Sequence, residues 1–295
     1  MSRLLLLAGL ALAPSGSARP GAPAPPRGTF ERFVRSEVVV VGKVTAIEKT
    51  TVEATLPYGD AKDKFAYTVA VVKVGTALAG ASDLTHVRVG FVPPDPKAPP
   101  LRGSGGVIRA REPVPELKDG QEMLLFLVKH PTADFYVMPS MNMPYDTGSD
   151  TGKKELDVVK KFAAVLADPT NGLKSDKAGV RAETAALAVA KYRSYPEYTT
   201  KVEEVAIPAD ESELILKGLA EGDWVQKSWA APPNALYGFF YLGLTEKDGW
   251  KEPVLPPAQP GKPPVDLAAL QKEAFAGWLA SPGKDYRVKK IVPKK

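Results

Sequence analysis

Two aspartates in one short stretch are the residues of this sequence best suited to chemistry. Asp146 opens the string Asp-Thr-Gly-Ser, and Asp150 opens a second Asp-Thr-Gly four residues later. A string of this kind can present a carboxylate for acid-base hydrolysis, in which two carboxylates share one proton and face each other across the site. Two copies so close in sequence cannot face each other in this way.

The residues before Asp146 favour a turn over an aspartic-protease site. An active-site aspartate of that class ends a buried apolar strand, whereas Asn142 is polar and Pro144 interrupts such a strand. Glycine-rich Asp-Thr-Gly strings are ordinary turns, and this one lacks the alternating oxygen ligands of a calcium loop. A second subunit could supply the facing carboxylate, so an envelope hydrolase that uses Asp146 or another carboxylate is kept as the alternative function.

The other candidate residues predict no site. His86 and His130 are the only histidines, and neither has a second histidine at metal-ligand spacing, so both are interpreted as surface or edge residues. Ser104 lies in a glycine loop without the strand and helix that a nucleophile or phosphate cradle requires. The sequence has no cysteine, which excludes disulfides, thiolate metal sites and cysteine nucleophiles. We therefore predict no catalytic residue, no metal ligand and no cofactor.

The first residues predict an exported protein. Arg3 supplies a positive charge, residues 4–13 are apolar, and small residues follow Pro14. This order is typical of a cleaved secretory signal, here residues 1–18, which is too short to span a bilayer permanently. The proline-rich leader at residues 19–29 cannot pack a core. We expect a secreted or periplasmic protein without a transmembrane segment.

The formal net charge of +5 comes from the C-terminal end of the chain. Residues 284–295 contain six Lys and Arg residues and one Asp, which sum to +5, so the rest is neutral. A nucleic-acid partner is therefore not expected, and the expected partner is another protein or an envelope component. This basic tail could form a terminal strand or an arm that touches an anionic surface, although a solvated tail is the simpler interpretation.

Apolar patterns predict five strands between residues 30 and 145, after a short helical turn at residues 30–35. In the first strand, residues 37–48, four consecutive valines precede Gly42 and a looser pattern follows it. A glycine at that change is typical of a bulge in a strand that bends around a small barrel. Residues 76–81 are interpreted as a loop. The other strands are predicted at residues 64–74, 86–92, 123–128 and 135–138.

These segments resemble the OB-like barrel of the netrin-module and metalloproteinase-inhibitor superfamily, including its uncharacterised bacterial secreted forms. The resemblance covers about residues 35–140 and depends on the kink at Gly42, on Tyr67-Thr-Val-Ala-Val-Val-Lys-Val-Gly75 and on Leu117-Lys-Asp-Gly-Gln-Glu-Met-Leu-Leu-Phe-Leu127. It implies a five-stranded OB-like β-barrel. Inhibitors of this superfamily chelate a catalytic metal through an N-terminal cysteine, so their mechanism cannot be transferred to a chain without cysteine.

A period of about 3.6 replaces the strand period from residue 153 onwards. Apolar stripes predict helices that end before Pro169 and Pro196, followed by three more at residues 210–220, 233–244 and 266–279. The segment that begins at Ala178 resembles one helix of a HEAT-type repeat, without a repeat period along the chain. Four tryptophans are assigned to the core of this region, although a sugar-binding aromatic shelf would have the same sequence pattern: Trp224, Trp229, Trp250 and Trp278.

The predicted fold class is therefore α+β in two domains. A five-stranded OB-like β-barrel at residues 30–145 precedes a small all-α domain at residues 153–283 and the basic tail at residues 284–295. The predicted function is binding without catalysis, with ligand and oligomeric state undetermined by the sequence. An exposed turn at Asp146 would favour binding, and a buried, facing carboxylate would favour hydrolysis.

The signal prediction concerns the N-terminus of the exported protein. We expect the mature chain to begin near Arg19, because charge, apolar length and small residues occur in the order that signal peptidase requires. N-terminal sequencing of the exported protein measures this, and an intact Met1 would contradict the prediction.

Overall fold

The computed structural model describes residues 28–57, 63–93, 101–102, 108–109, 116–139, 143–195, 198, 201–225, 233–256 and 265–294. The predicted signal, most of the leader, Ser104 and Trp229 lie outside these residues. The described residues contain seven α-helices, a seven-stranded sheet and two small two-stranded sheets. The protein is therefore of the mixed α+β class.

Strands are concentrated in the first half of the chain. They are β1 (Val38–Ile47), β2 (Val52–Thr55), β3 (Lys64–Ala79), β4 (His86–Phe91), β5 (Leu101–Arg102), β6 (Ile108–Arg109), β7 (Glu122–Lys129), β8 (Tyr136–Val137), β9 (Tyr145–Asp146), β10 (Val202–Ala206) and β11 (Lys289–Pro293). Helices dominate the chain from Asp150 onwards, and one short helix precedes the first strand. They are α1 (Thr29–Arg35), α2 (Asp150–Ala167), α3 (Pro169–Leu173), α4 (Ala178–Arg193), α5 (Ala209–Glu221), α6 (Ala235–Leu242) and α7 (Leu267–Ala280), with a 3-10 turn at Glu246–Asp248.

The pairings of five strands return to their starting point. Strand β1 pairs antiparallel with β3 on one side and with β7 on the other. Strand β3 pairs antiparallel with β4, β4 pairs parallel with β8, and β8 pairs antiparallel with β7. These are the five strands that the sequence predicts. Two further strands are added at the margins, β2 on β3 and β9 on β7.

The predicted loop at residues 76–81 is wrong for most of its length. Strand β3 continues to Ala79, and its residues Thr76, Ala77 and Ala79 pair with Val41, Val40 and Val39. The loop was inferred because small residues here lack apolar alternation. The strand nevertheless continues because two register shifts leave Gly75 and Leu78 of β3 without a partner in β1, which lets β3 follow the curvature of β1.

The four valines of β1 are buried on both faces of the strand. Val38 and Val40 belong to an apolar cluster with strands β3, β4 and β7, which we call the inner cluster. Val39 and Val41 point to the opposite face and pack with helices α1, α2 and α4. After Gly42, Lys43 and Thr45 are exposed, so the strand leaves the cover of the helices there.

Helix α4 lies between the sheet and the outer helices. Its Leu187 and Ala190 pack against the sheet, whereas Ala185, Ala186 and Val189 belong to the core formed with α5, α6 and α7. Because these side chains are small and buried, α4 can be surrounded closely on both sides. The sequence alone did not determine whether the helices pack on the strands, and the structure shows that they do.

Several helix ends differ from the predictions because of local capping. Helix α2 begins at Asp150, before the predicted Lys153, since the Ser149 hydroxyl accepts a hydrogen bond from the Gly152 amide. Helix α6 begins at Ala235 with Asn234 as its cap, so Pro233 precedes the helix rather than occupying its first turn. Helix α3 was missed because its first residue, Pro169, was interpreted only as a stop signal.

The C-terminal tail is not simply a solvated tail. Residues of β11 pair antiparallel with β10, from Val202 opposite Pro293 to Ala206 opposite Lys289. Glu204 of β10 accepts a hydrogen bond from Arg193 and lies 3.4 Å from the Lys289 ammonium. These contacts lower the pKa of Glu204, chiefly through the Arg193 hydrogen bond. The terminal-strand alternative therefore describes residues 289–293.

No helix among the described residues combines the length and apolar character that a membrane crossing requires.

A substitution at Gly42 tests whether close packing fixes the curvature of β1. A Cβ atom at this position would lie 2.5 Å from Val72 Cγ1 and 3.0 Å from the Lys73 carbonyl oxygen, at a register shift between β1 and β3. Gly42→Val should therefore lower the free energy of unfolding by about 2 kcal/mol or more, against the usual preference of strands for valine. Chemical denaturation of the full chain measures the effect.

Gly75→Val is the matched control for this measurement. Gly75 lies in the neighbouring strand β3 and is exposed, and a Cβ atom there would meet only the Val41 carbonyl oxygen at an ordinary 3.5 Å. We expect this variant to be neutral or more stable. A Gly42→Val variant as stable as its control would show that β1 tolerates a side chain at its bend.

Candidate functional site

The Asp-Thr-Gly-Ser string connects the sheet to helix α2. Asp146 ends strand β9 opposite Met123, and its Oδ1 atom accepts a hydrogen bond of 2.8 Å from the Gly148 amide. The Ser149 hydroxyl donates to the Asp146 carbonyl oxygen at 2.7 Å while it caps α2. Gly152, the glycine of the second Asp-Thr-Gly, lies so close to the Asp146 carbonyl group that a Cβ atom at this position would overlap it. Backbone turning and capping thus account for this string.

Asp146 has the exposed environment that favours binding over hydrolysis. Its side chain is exposed, and its carboxylate is engaged by the amide two residues on. Asp150 is also exposed and begins α2, where its negative charge suits the helix N-terminus. The short strand at Tyr145–Asp146 exists despite Pro144, which the sequence interpretation regarded as incompatible with a strand.

The two histidines have different environments. His86 is exposed at the start of β4, as predicted, whereas His130 is buried with 3% of its surface exposed, so the surface or edge interpretation is wrong for it. The His130 Nδ1 atom accepts from the Thr132 amide at 3.2 Å, which leaves Nε2–H to donate to the Thr55 carbonyl oxygen at 3.0 Å. His130 therefore joins the end of β7 to β2 and has a structural role.

Metal-ligating side chains do not gather within the described ranges. No group of three or more histidines, cysteines, aspartates and glutamates there is arranged so that it could hold an ion. The tryptophans of these ranges, Trp224, Trp250 and Trp278, are buried in the helical core, as the sequence predicts.

An open groove of about 680 Å³ lies between helix α5 and the segment that follows α7. We call it the α5–α7 groove. Its floor is apolar and is formed by Leu216 and Ala220 of α5 and Leu279 of α7. A concave surface with an apolar floor and a few polar groups is the usual form of a ligand site.

The rim of the α5–α7 groove is charged. It contains Glu213 and Lys217 from α5, and Lys284, Asp285 and Arg287 from the segment after α7. The α5 members recur at helical spacing with the floor residues, so one face of α5 forms this side of the groove. On the opposite face, Ile215 and Leu219 are fully buried in the helical core.

The wall opposite α5 is held by several buried contacts. The Val288 amide donates to the Ser212 hydroxyl at 2.8 Å, and Arg287 donates to the Ile207 carbonyl oxygen at 2.7 Å. Gly283 lies against the Trp278 ring so closely that any Cβ atom would overlap it. These contacts fix the segment after α7 relative to α5, so the groove is preformed.

Tyr286 contributes an uncharged wall to the groove. Its ring packs edge-on against Trp278, with ring centroids 5.2 Å apart. The pKa of Tyr286 is raised to about 12, chiefly by burial and also by the nearby carboxylate of Asp248. The phenol therefore stays protonated at neutral pH and is unsuited to act as a base.

No sequence pattern pointed directly to this groove. Glu213 and Lys217 belong to the polar face of a predicted helix, and Lys284 to Arg287 were interpreted only as a basic tail. Their proximity depends on tertiary packing between elements more than sixty residues apart in the sequence. No known family model matches this chain, and no curated protein sequence is significantly similar to it.

Lys191 is a partly buried titratable group outside the groove. It lies in the last turn of α4, and its ammonium group donates to the carbonyl oxygens of Val34 at 3.0 Å and Ser36 at 2.9 Å. It thereby joins α4 to the end of α1 and the start of β1. The pKa of Lys191 is lowered from 10.5 to about 8, chiefly by burial and also by the nearby Lys290, while Glu37 opposes the shift.

The lowered pKa predicts a pH-dependent stability. Between pH 8 and pH 10.5 the unfolded chain binds a proton at Lys191 that the folded chain has released, so stability rises with pH across this window. Relative to Lys191→Met, the free energy of unfolding of the wild type should rise by about 1–2 kcal/mol from pH 7 to pH 9.5.

Denaturation curves of both proteins at each pH measure this difference. Methionine also leaves two carbonyl groups without their donor, but that loss does not depend on pH. It therefore leaves unaffected the slope of the free energy of unfolding against pH. A constant difference between the two proteins across this range would show that the amine titrates as it does in water.

Proposed function

We propose that this protein is an exported, non-catalytic binding protein and that it binds a polypeptide segment of a partner in the α5–α7 groove. The groove carries this proposal, because it combines an apolar floor at Leu216, Ala220 and Leu279 with charged groups of both signs on its rim. A polypeptide offers both kinds of surface. The partner is another protein or an envelope component with an accessible peptide segment.

The chemistry of the groove favours binding over catalysis. Its titratable members at the rim are exposed, and the phenol of Tyr286 is held protonated by burial. Catalytic groups are usually tuned to ionise near the working pH by a specific partner. The alternative, an envelope hydrolase that uses Asp146, is disfavoured by the exposure of that side chain and by its engagement with the Gly148 amide.

The sheet supports a finer proposal for the fold. The ring of pairings β1–β3–β4–β8–β7, with β4 parallel to β8, fits a five-stranded OB-like β-barrel of the netrin-module and metalloproteinase-inhibitor superfamily. In this proposal the barrel domain occupies residues 30–145, and residues 153–283 form a mainly helical domain; the predicted all-α composition is wrong, because strand β10 lies within this range and pairs with β11. The barrel is a scaffold here, because the inhibitory cysteine of that superfamily is absent from the sequence.

Two features support the proposed location and partner class. The charge, apolar run and small residues of residues 1–18 have the order of a secretory signal, which supports export. Much of the excess positive charge lies in or beside β11, where Lys289 approaches Glu204. No basic groove with stacked aromatics, as single-stranded nucleic acids need, is seen among the described residues, so we propose no nucleic-acid partner.

Filling the groove tests the proposed function. Ala220 lies on the groove floor and is partly buried, so Ala220→Trp should occupy the space that a ligand side chain would take. A library of random nine-residue peptides is selected on the wild-type protein, and the affinities of enriched peptides are measured by fluorescence anisotropy. We expect Ala220→Trp to weaken their binding by about 10-fold or more.

Ala276→Trp is the matched control. Ala276 is exposed on α7 and does not line the groove. It should leave the affinity unchanged, which separates a blocked groove from a general effect of an added tryptophan. If no peptide is enriched, or if both variants bind the enriched peptides equally well, the groove is not the binding site.

A further inference from the structure

The cations on the rim of the α5–α7 groove suggest the class of its ligand. We infer that the occupant is an extended acidic peptide segment that carries apolar side chains between its carboxylates. This inference rests on the proposed function and specifies the ligand of the same groove. It depends on the ion pairing of the rim, on the shape of the floor and on the balance of charges around it.

Lys217 and Lys284 are exposed cations on opposite sides of the groove. Lys217 projects from α5 and Lys284 from the segment after α7, and neither has an ion-pair partner within 4.0 Å in the described part of the chain. Two arginines of the helical region do have ion-pair partners. Arg181 pairs with Glu221, and Arg193 pairs with Glu204. The two lysines are therefore available for carboxylates of a ligand.

Arg287 is oriented by the protein rather than by an anion. Its Nη2 atom donates to the Ile207 carbonyl oxygen, which holds the guanidinium group at the groove wall with donors left over for a ligand. With Lys217 and Lys284 it gives the rim three positive charges against two carboxylates, Glu213 and Asp285. The net charge of the rim thus favours an acidic ligand.

The floor requires an apolar component in the ligand. Leu216, Ala220 and Leu279 offer no hydrogen-bonding side chains, so a purely charged ligand would lose hydration there without compensation. An extended peptide places alternate side chains on opposite sides. Apolar side chains can thus face the floor while acidic side chains at neighbouring positions reach the lysines.

The two carboxylates on the rim argue against a small inorganic anion. A phosphate bound between Lys217 and Lys284 would also approach Glu213 and Asp285 in the same groove, and repulsion would offset much of the attraction. A peptide can avoid this repulsion because its backbone amides donate to carboxylates. The concave floor is also a poor match for a flat anionic bilayer, which makes lipid binding an outcome for the test to exclude.

Two labelled peptides of opposite charge test the inference on the full-length protein. One is the acetylated and amidated sequence Glu-Leu-Asp-Val-Glu-Leu-Asp, and the other replaces each acidic residue by lysine. We expect the acidic peptide to bind about 10-fold more tightly than the basic one at about 50 mM salt. The difference should shrink at about 500 mM salt, because the Debye length falls severalfold. Fluorescence anisotropy titrations measure both affinities.

Charge reversal on the rim locates the effect. The double variant Lys217→Glu and Lys284→Glu should weaken binding of the acidic peptide by about 10-fold and strengthen binding of the basic one. The control carries the same change in net charge at two exposed lysines outside the groove, Lys64→Glu in β3 and Lys160→Glu in α2. It should leave both affinities within about twofold, because distant exposed charges are screened.

The outcomes separate the ligand class from the function. If the basic peptide binds as tightly as the acidic one and Ala220→Trp blocks both, the acidic class is wrong and the proposed function stands. If neither peptide binds and the random library also yields no peptide that Ala220→Trp blocks, the proposed function fails as well. The inference would also be overturned if the control variant weakened binding of the acidic peptide as much as the double variant does. It would be overturned as well if the protein bound anionic phosphatidylglycerol vesicles but neither peptide, and if the double variant abolished this vesicle binding.

Discussion

Close packing around helix α4 is the constraint on which most of the helical region depends. Its small, buried side chains let the sheet approach from one side and α5 and α6 from the other. The neighbouring helices supply glycines where they cross it. A Cβ atom at Gly218 would lie 2.9 Å from the Arg181 carbonyl oxygen, and one at Gly238 would lie 2.7 Å from the Ala186 Cα atom. Larger side chains would separate these layers.

This packing also determines which surface of α5 faces outward. Gly218, Ile215 and Leu219 face the core, so the adjoining stripe with Glu213 and Lys217 faces the segment after α7. That segment is in turn fixed by Trp278, whose indole N–H donates to the Asp248 carbonyl oxygen at 2.9 Å. The groove is therefore a consequence of core packing on both of its sides. A ligand would meet a preformed surface and would not have to organise it.

Sequence patterns predicted the elements better than their contacts. The valines of β1 and the alternation in β3 and β4 identified three of the five predicted strands because each face of a strand has a consistent environment. The extension of β3 to Ala79 was missed because bulges at Gly75 and Leu78 interrupt the alternation of β3, and the burial of His130 was missed because its acceptor, Thr55, is remote in sequence. The groove could not be predicted in this way, because it is formed by the packing of α5 against residues 279–287. The periodicity of a single helix carries no information about that contact.

The aromatic residues of the sheet help to explain why a ligand would bind to the helices. In OB-like barrels, the face of the second and third strands is a common binding surface. In the proposed barrel those strands would be β3 and β4. Phe135 lies directly over Gly90 on their outer face, where it contacts Tyr67 with ring centroids 5.1 Å apart. Arg88, which donates to Glu48 at 2.8 Å, covers a further part of β4. The chain thus fills much of that surface with its own side chains, which leaves the α5–α7 groove as the better-formed concave site.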